Sequence, residues 1–323
     1  MSTGGKRVEG VCRQHGSVNL RHLAPSGVFS AAAARASGIS GALLRSLVAN
    51  GSCHPLHRGW YSVQKPSSER HRHLLRVTAL LEEYDGRVMA SHGSAVAVLG
   101  LPDEEIDWGT VHLMWRSTGT KFRAFSRVHI HELVEHPLLR HGTTAVDPAL
   151  AAVQVGLRSQ LAMLVVADHC LHRHLTTVHA LRAAAFALTG QRGVTRARAA
   201  LPWCDDRHET PGETLTALTL RRLGYAFTPQ HDIERLEAPG RHYYADFIID
   251  GTNVLVEFDG KAKYDPESSP DAARTNFQEK RREDEIRRLG YRVVRLTRAD
   301  LARPALVRAR IEAALRDSRL DAG

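Results

Sequence analysis

The chain has 323 residues, of which 43% are apolar and 24% charged, and this composition excludes an intrinsically disordered protein. Four cysteines without a C-x-x-C pair exclude a disulfide scaffold and favour reduced thiols. The best apolar stretch, residues 161–167, is too short to span a bilayer, and the N-terminus lacks the apolar segment of a signal peptide, so we expect a cytoplasmic protein that does not enter a membrane.

The positive charge is concentrated near the N-terminus. The net charge is +9, and residues 1–66 contain eight Lys and Arg but a single acid, whereas residues 67–206 and 207–323 each carry one excess positive charge. Clustered bases gain affinity for nucleic acid by releasing phosphate counterions. We therefore expect a nucleic-acid partner; the alternative is a solvated basic tail.

Residues 27–66, which follow a basic arm of residues 1–26, have the pattern of a small DNA-binding domain. Ser30 and Ser40 are the expected N-caps of two short helices, 31–36 and 40–49, and a β-hairpin that bends at Arg58-Gly59 follows. Helix, tight turn, helix and basic hairpin predict a winged helix-turn-helix, whose second helix enters the major groove.

The second of these helices separates apolar from polar side chains. We expect Leu43, Leu44, Leu47 and Val48 on one face, which leaves the polar residues on the other. Aromatic residues make up 6% of the chain and form no run of stacking platforms, so duplex DNA is the expected ligand. The predicted DNA contacts are Arg35, Arg45, Ser46 and Arg58.

The run GVFSAAAARASGISGALLRSLVANGSCHPLHRGWYSV (27–63) resembles the N-terminal winged-helix domain of the AbiEi-type antitoxins, which are transcriptional repressors in abortive-infection loci. The resemblance implies DNA binding and, as a partner, a cognate toxin or the product of a neighbouring operon gene.

Residues 67–206 predict a mixed α/β middle domain with a helical linker. The segment SHGSAVAVLGLP (91–102) precedes two strand-like segments, 111–115 and 127–133, and the Ala/Leu-rich residues 147–201 predict two or three helices. The segment DHCLHRH (168–174) has two i, i+4 pairs that can ligate zinc, and His129 and His131 alternate on a strand. We interpret both patterns as structural and assign no metal to them.

Residues 207–323 predict an α/β domain of defined element order. The order is a helix from Pro211 to Leu223 capped by Thr210, a strand near 225–227, a hairpin over 241–261, a helix over 275–289 and a strand over 291–297. The fold expected for the whole chain is therefore α/β in several domains (α+β multidomain), ending in an αβββαβ domain.

The hairpin places acids opposite one another. Side chains alternate along a strand, so Asp246 shares a face with Glu257, Asp259 and Lys261. If the loop is the four-residue DGTN, Asp246 lies directly opposite Glu257, an arrangement that is destabilising unless a cation lies between the two carboxylates. The expected core residues on the other face are Ala245, Phe247, Ile249, Val254, Val256 and Phe258.

The expected cation is Mg²⁺ or Mn²⁺, since both prefer carboxylates and water. Such an ion would acidify a water that attacks a phosphodiester and would neutralise the transition state, and Lys261 would position or deprotonate the nucleophile.

The spacing from Asp246 to Glu257-x-Asp259-x-Lys261 resembles the PD-(D/E)xK nuclease signature and its restriction-endonuclease-like fold. Residues 207–300 resemble more closely the domain-of-unknown-function branch related to very-short-patch-repair endonucleases, on the segments PGETLTALTLRRLGY, ADFII, LVEFDGKAKY and EKRREDEIRRLGYRVVRLT. By position the resemblance implies that Glu213 is the helix acid, Asp246 the hairpin acid, and Glu257 with Asp259 the paired strand acids. Ala245 replaces the usual proline, and either Lys261 or Lys280 is the motif lysine.

Each of these features also has a structural interpretation. Glu213 completes a T-x-x-E capping box, Asp259-Gly260 is typical of a turn, and the bases of the helix that carries Lys280 and Arg281 form either a solvated face or phosphate contacts. Two functions follow: a metal-dependent endonuclease in defence or DNA processing, with Asp246, Glu257 and Glu213 as metal ligands, or a transcriptional regulator or antitoxin whose nuclease-like domain is not catalytic.

Overall fold

The computed structural model describes residues 20–135, 143–260 and 270–320, and the side chains of 270–278 and 318–320 lie outside this description. The described chain is a mixed α/β protein that divides into two compact units. The first unit contains the residues up to Gly100 and Asp107–Asp147, and the second contains Leu101–Ile106 and the residues from Pro148 onward. No helix among the described residues is both long and apolar enough to cross a membrane.

The first unit begins with a small three-stranded sheet and two helices. Its elements are β1 (Val28–Ser30), α1 (Ala31–Ala36), α2 (Gly41–Ala49), β2 (His54–His57) and β3 (Trp60–Ser62). The Oγ atoms of Ser30 and Ser40 accept hydrogen bonds from the backbone N–H groups of Ala33 and Leu43, so both predicted N-caps are confirmed.

Two details of this segment differ from the sequence expectation. β1 was not predicted; it pairs antiparallel with β3 and gives the order β1-β3-β2. The predicted apolar face of α2 is wrong for Leu43, which is 39% exposed, because Leu44 and Leu47 alone are buried there.

The rest of the first unit is a four-stranded sheet with two helices. Its elements are α3 (Glu69–Glu83), β4 (Val88–Ala90), α4 (His92–Val98), β5 (Val111–Trp115), β6 (Arg123–Phe125) and β7 (Val128–His131). The strand order is β4-β5-β7-β6, in which β5 and β7 run parallel and the other neighbours run antiparallel. The predicted strands 111–115 and 127–133 are confirmed as β5 and β7.

The second unit starts with four helices, although the sequence predicted two or three. They are α5 (Pro148–Gly156), α6 (Gln160–His172), α7 (Val178–Ala187) and α8 (Val194–Ala200). The break between α7 and α8 contains Gly190 and Gly193, whose φ angles of 86° and 96° are incompatible with a continuous helix. The predicted middle domain, residues 67–206, includes the border between the two units at Asp147 and Pro148.

A second four-stranded sheet follows. The elements are α9 (Pro211–Leu223), β8 (Phe227–Glu234), β9 (His242–Ile249), β10 (Val254–Phe258), α10 (Pro270–Arg288), β11 (Arg292–Leu296), α11 (Arg298–Leu301) and α12 (Pro304–Leu320). Its order is β11-β10-β9-β8, with β11 parallel to β10 and the other pairs antiparallel. β8 begins later and is longer than predicted, and α10 begins earlier.

Helices cover both faces of this sheet. Apolar residues of α9, α12, β9, β10 and β11 form one cluster, and a second cluster joins Ile286 of α10 to Ile233, Ala245 and Leu255. The predicted alternation is therefore wrong for Ala245, which packs on the α10 side, whereas Phe247 and Ile249 pack on the α9 side. The face changes at Asp246, opposite Gln230, whose φ of 51° interrupts the regular pleat of β8.

Candidate active site in the second unit

The candidate site lies where β9 and β10 separate. The two strands are joined by the four-residue loop 250–253. Their hydrogen-bonded ladder pairs Leu255 with Ile248 and Val256 with Phe247. The four-residue loop agrees with the sequence expectation. The ladder ends at the second pair, and Asp246 and Glu257 are the next residues along the two strands.

Asp246 forms a hydrogen bond at the point of separation. Its Oδ2 accepts a hydrogen bond of 2.7 Å from the backbone N–H of Phe258 in place of a backbone carbonyl of β9. Burial raises the pKa of Asp246 to about 6; the charges of Glu213 and Glu257 raise it too, while the Phe258 N–H and Arg282 oppose the rise. The site thus contains a half-buried carboxylate whose charged neighbours are two acids and one arginine.

Glu257 forms ion pairs with two arginines. Its Oε1 accepts a hydrogen bond of 2.8 Å from Arg282 of α10, and its Oε2 lies 3.6 Å from Nε of Arg295, the residue opposite it on β11. The positive charge that faces Glu257 in the structure is therefore supplied by guanidinium groups.

Glu213 acts as a capping residue. The hydroxyl of Thr210 donates to Oε1 of Glu213 at 2.8 Å, and the backbone N–H of Glu209 donates to Oε2 at 3.0 Å. The Glu213 N–H in turn donates to Thr210 Oγ1, so the T-x-x-E pattern is a helix N-terminus with reciprocal bonds. Glu213 is 7% exposed and contributes to the electrostatic environment of Asp246.

Of the remaining predicted residues, one lines the cavity, one lies outside the described residues and two lie on α10. Asp259 lines the same cavity, and its backbone N–H continues the ladder by donating to Leu296 at 2.8 Å. Lys261 lies outside the described residues. Lys280 is exposed on α10, and its neighbour Arg281 pairs with Glu237 at 2.7 Å.

A cavity of about 370 Å³ opens between these strands and α10. Four acids and two arginines are among the residues that line it: Asp246, Glu257, Asp259, Glu279, Arg282 and Arg295. Two tyrosines and a histidine complete its polar wall: Tyr243, Tyr244 and His242. Such a cavity, open to solvent and rich in charge, suits a charged ligand better than an apolar one.

Sequence reasoning missed the part played by Arg282, Arg295 and Tyr243. The guanidinium of Arg282 lies 5.6 Å from the ring centroid of Tyr243, whose hydroxyl donates to the buried Glu285 at 3.0 Å. Once β10 and β11 are paired in parallel, Arg295 falls opposite Glu257, so the sequence carried that signal. The position of Arg282 depends on the docking of α10, which no local pattern specifies.

The predicted DNA contacts of the first unit lie in the small three-stranded segment. Arg35, Arg45, Ser46 and Arg58 are all solvent-exposed there. Within that segment the exposed side of α2 carries Arg45 and Ser46 beside Leu43, and Leu44, Leu47 and Phe29 belong to the core.

Comparison with known proteins gives little further guidance. No model of a known protein family matches the chain, and no curated protein matches it. Among solved structures, the crystal structure of the RV2827C protein from Mycobacterium tuberculosis has a TM-score of 0.37 and 17% identity, over 62% of this chain and 78% of that one.

Proposed function

We propose that this protein binds duplex DNA through residues 27–63 and hydrolyses phosphodiester bonds in the cavity between β9, β10 and α10. Mg²⁺ or Mn²⁺ is the proposed cofactor. The observation that carries the proposal is that Asp246 and Glu257, the next residues after the last pair of the β9–β10 ladder, line one cavity together with Asp259.

The element order of the first segment supports DNA binding. A short strand, two capped helices and an antiparallel hairpin follow each other in the order expected of a winged helix-turn-helix. Of its exposed arginines, Arg45 lies on the second helix and Arg58 at the hairpin tip, the two parts that contact bases and backbone in that fold, and Arg35 lies on the first helix.

The element order of the second unit supports a nuclease-like domain. α9, β8, β9, β10, α10 and β11 follow the αβββαβ order of PD-(D/E)xK nucleases, and the paired acids lie on the second and third of these strands. Fold resemblance alone does not establish an activity, so the site residues must carry the argument.

The donors at the site fit a hard divalent ion. Asp246 and Glu257 are carboxylates on adjacent strands, which is the donor type that Mg²⁺ and Mn²⁺ prefer. Glu213, the third predicted ligand, is already held by its capping bonds and by Gln230 at 3.4 Å. We therefore assign the ion to Asp246 and Glu257 and leave Glu213 as a neighbouring charge.

The bound ion would supply an acidified water and a positive charge close to the scissile phosphate. Arg282 and Arg295 bind the phosphate oxygens in this proposal, because both line the cavity and their planar groups match phosphate in two bonds. Glu257, which both arginines contact in the structure, would then be available to hold the ion.

A cleavage assay tests the proposal. Purified full-length protein should nick supercoiled plasmid with Mg²⁺ or Mn²⁺, and Asp246→Asn and Glu257→Gln should each abolish nicking. Asp250→Asn is the matched control, since this exposed residue lies at the other end of the same hairpin and should leave cleavage unchanged. Nicking that survives both site substitutions refutes the assignment.

A second function is favoured by the ion pairs of Glu257. Both oxygens of Glu257 face arginines and Glu213 is satisfied by its cap, so each of these two acids has protein partners in place of a metal. In that case the protein is a transcriptional regulator or antitoxin. It then binds DNA upstream of its own operon, cuts nothing, and keeps its repression in the Asp246→Asn and Glu257→Gln variants.

A further inference from the structure

Three histidines converge in the first unit, away from the acids discussed above. His92 begins α4 directly after β4, His112 lies within β5, and His131 ends β7. Since β4, β5 and β7 are adjacent in the sheet, the three rings project from neighbouring elements into one place.

Their ring nitrogens have the spacing of metal ligands. One ring nitrogen of each histidine lies within 4.8 Å of the other two, and Nδ1 of His112 is 2.9 Å from Nε2 of His131. Among the described residues, this is the sole group of three or more His, Cys, Asp or Glu side chains with such close ligand atoms. Tetrahedral Zn²⁺, with bonds of about 2.0–2.1 Å, would hold ligand nitrogens roughly 3.4 Å apart.

The surroundings fix the orientation of His92. Its Nδ1 lies 3.1 Å from Oγ of the buried Ser91, a contact that restrains the ring. Its φ of 49° is in the left-handed region, which is uncommon for a residue with a side chain. Metal-binding histidines commonly have such a second bond, because it selects the ring tautomer.

We propose that His92, His112 and His131 bind one Zn²⁺ ion. Imidazole is a preferred ligand for zinc, and three protein ligands leave the fourth position of a tetrahedral ion open to water or a substrate group. The site is independent of the proposed nuclease centre, which lies in the other unit and uses carboxylates.

The ordinary alternative is a hydrogen bond between two neutral histidines. The distance of 2.9 Å between Nδ1 of His112 and Nε2 of His131 fits such a bond. The ring of His92 distinguishes the hydrogen-bonded pair from the metal site. A hydrogen bond between His112 and His131 needs no third histidine, whereas a metal site needs His92 as well.

Metal titration of the full-length chain tests the proposal. Chelator-treated protein that carries Asp246→Asn, so that the acidic cavity is impaired as a competing site, is titrated with Zn²⁺ by calorimetry and with Co²⁺ by visible absorption. One equivalent should bind, with the absorption of tetrahedral Co²⁺. His92→Ala and His131→Ala should each weaken binding by at least about 100-fold, and Ser91→Ala by about 10–100-fold.

His129→Ala is the matched control, because His129 is on the same strand and its ring lies 5.2 Å from that of His112 without belonging to the group. It should bind Zn²⁺ as the parent does. The proposal is overturned if the parent shows no Co²⁺ spectrum, or if His92→Ala binds Zn²⁺ as tightly as the parent does. Circular dichroism of each variant distinguishes loss of metal binding from loss of folding. If the histidine variants do not fold, Ser91→Ala, which removes a single oxygen, tests the proposal, and unchanged Zn²⁺ affinity in that variant overturns it.

Discussion

The carboxylate of Asp168 should be among the most important polar groups for the stability of the second unit. It is 1% exposed and accepts three hydrogen bonds: 2.9 Å from the backbone N–H of Asp205, 2.8 Å from Nδ1 of His208 and 2.9 Å from Oγ1 of Thr214. Burial raises its pKa, and these hydrogen bonds oppose the rise. Asp168 thereby joins α6 to the start of α9, the helix that carries Glu213.

Asp168→Ala would leave two buried donors and one partly buried donor without their acceptor. A buried donor left unsatisfied costs about 1–3 kcal/mol, so the two buried donors together should cost about 2–6 kcal/mol. The second unit has about 180 residues, and in units of this size each kcal/mol lowers the Tm by about 2–4 °C, so we expect a fall of roughly 4–24 °C. Asp168→Asn keeps one acceptor oxygen and should cost less, about 1–3 kcal/mol.

Scanning calorimetry of the full-length protein measures the effect as a shift of the transition of the second unit. Asp206→Ala is the control, because this exposed carboxylate lies close by in the sequence and surface substitutions stay within about 0.5 kcal/mol. A Tm for Asp168→Ala within about 2 °C of the wild type would refute the reasoning, since it would mean that the three donors find other acceptors.

Three further predictions follow from particular contacts. A Cβ on Gly212 would lie 2.0 Å from the Phe258 ring, so Gly212→Ala should cost about 1–3 kcal/mol by overpacking, measured by urea unfolding; an unchanged midpoint would contradict this. Arg45→Ala with Arg58→Ala should weaken DNA binding and flatten the slope of log K against log salt by about 1.8, measured by fluorescence anisotropy; an unchanged slope would assign the contact elsewhere. Burial lowers the pKa of His73 below 6.5, with Arg76 and Asp107 as its charged neighbours. On acidification the unfolded chain therefore binds a proton at a higher pH than the folded protein does. The free energy of unfolding should then fall below pH 6.5 by up to about 1.4 kcal/mol per pH unit. His73→Gln should reduce this fall, as measured by urea unfolding at two pH values.

Local features of the fold could be predicted from the sequence because the chemistry that decides them is local. Serine or threonine before a helix and glycine after it identified the caps at Ser30, Ser40 and Thr210 and the end of α9 at Gly224. The DGTN loop determined which residues of β9 and β10 face each other. These predictions needed no knowledge of the tertiary structure.

Other features depend on which element packs on which, and the sequence pattern could not reveal them. Helices cover both faces of the sheet in the second unit, so an apolar residue is acceptable on either face and Ala245 gave no signal of its side. The group of His92, His112 and His131 assembles from three elements, whereas the spacing rules that dismissed His131 consider one element at a time.

The charges around the cavity bear on the choice between the two proposed functions. Arg282 and Arg295 contact the two oxygens of Glu257 at 2.8 Å and 3.6 Å, whereas the Asp246 carboxylate accepts a backbone N–H and has a pKa that burial raises to about 6. A divalent cation held by both carboxylates would therefore compete with two guanidinium groups for Glu257. The metal-dependent nuclease requires Glu257 to exchange an arginine for the ion, and a domain that only binds DNA requires no such exchange, so the contacts of Glu257 in the presence of Mg²⁺ distinguish the two functions.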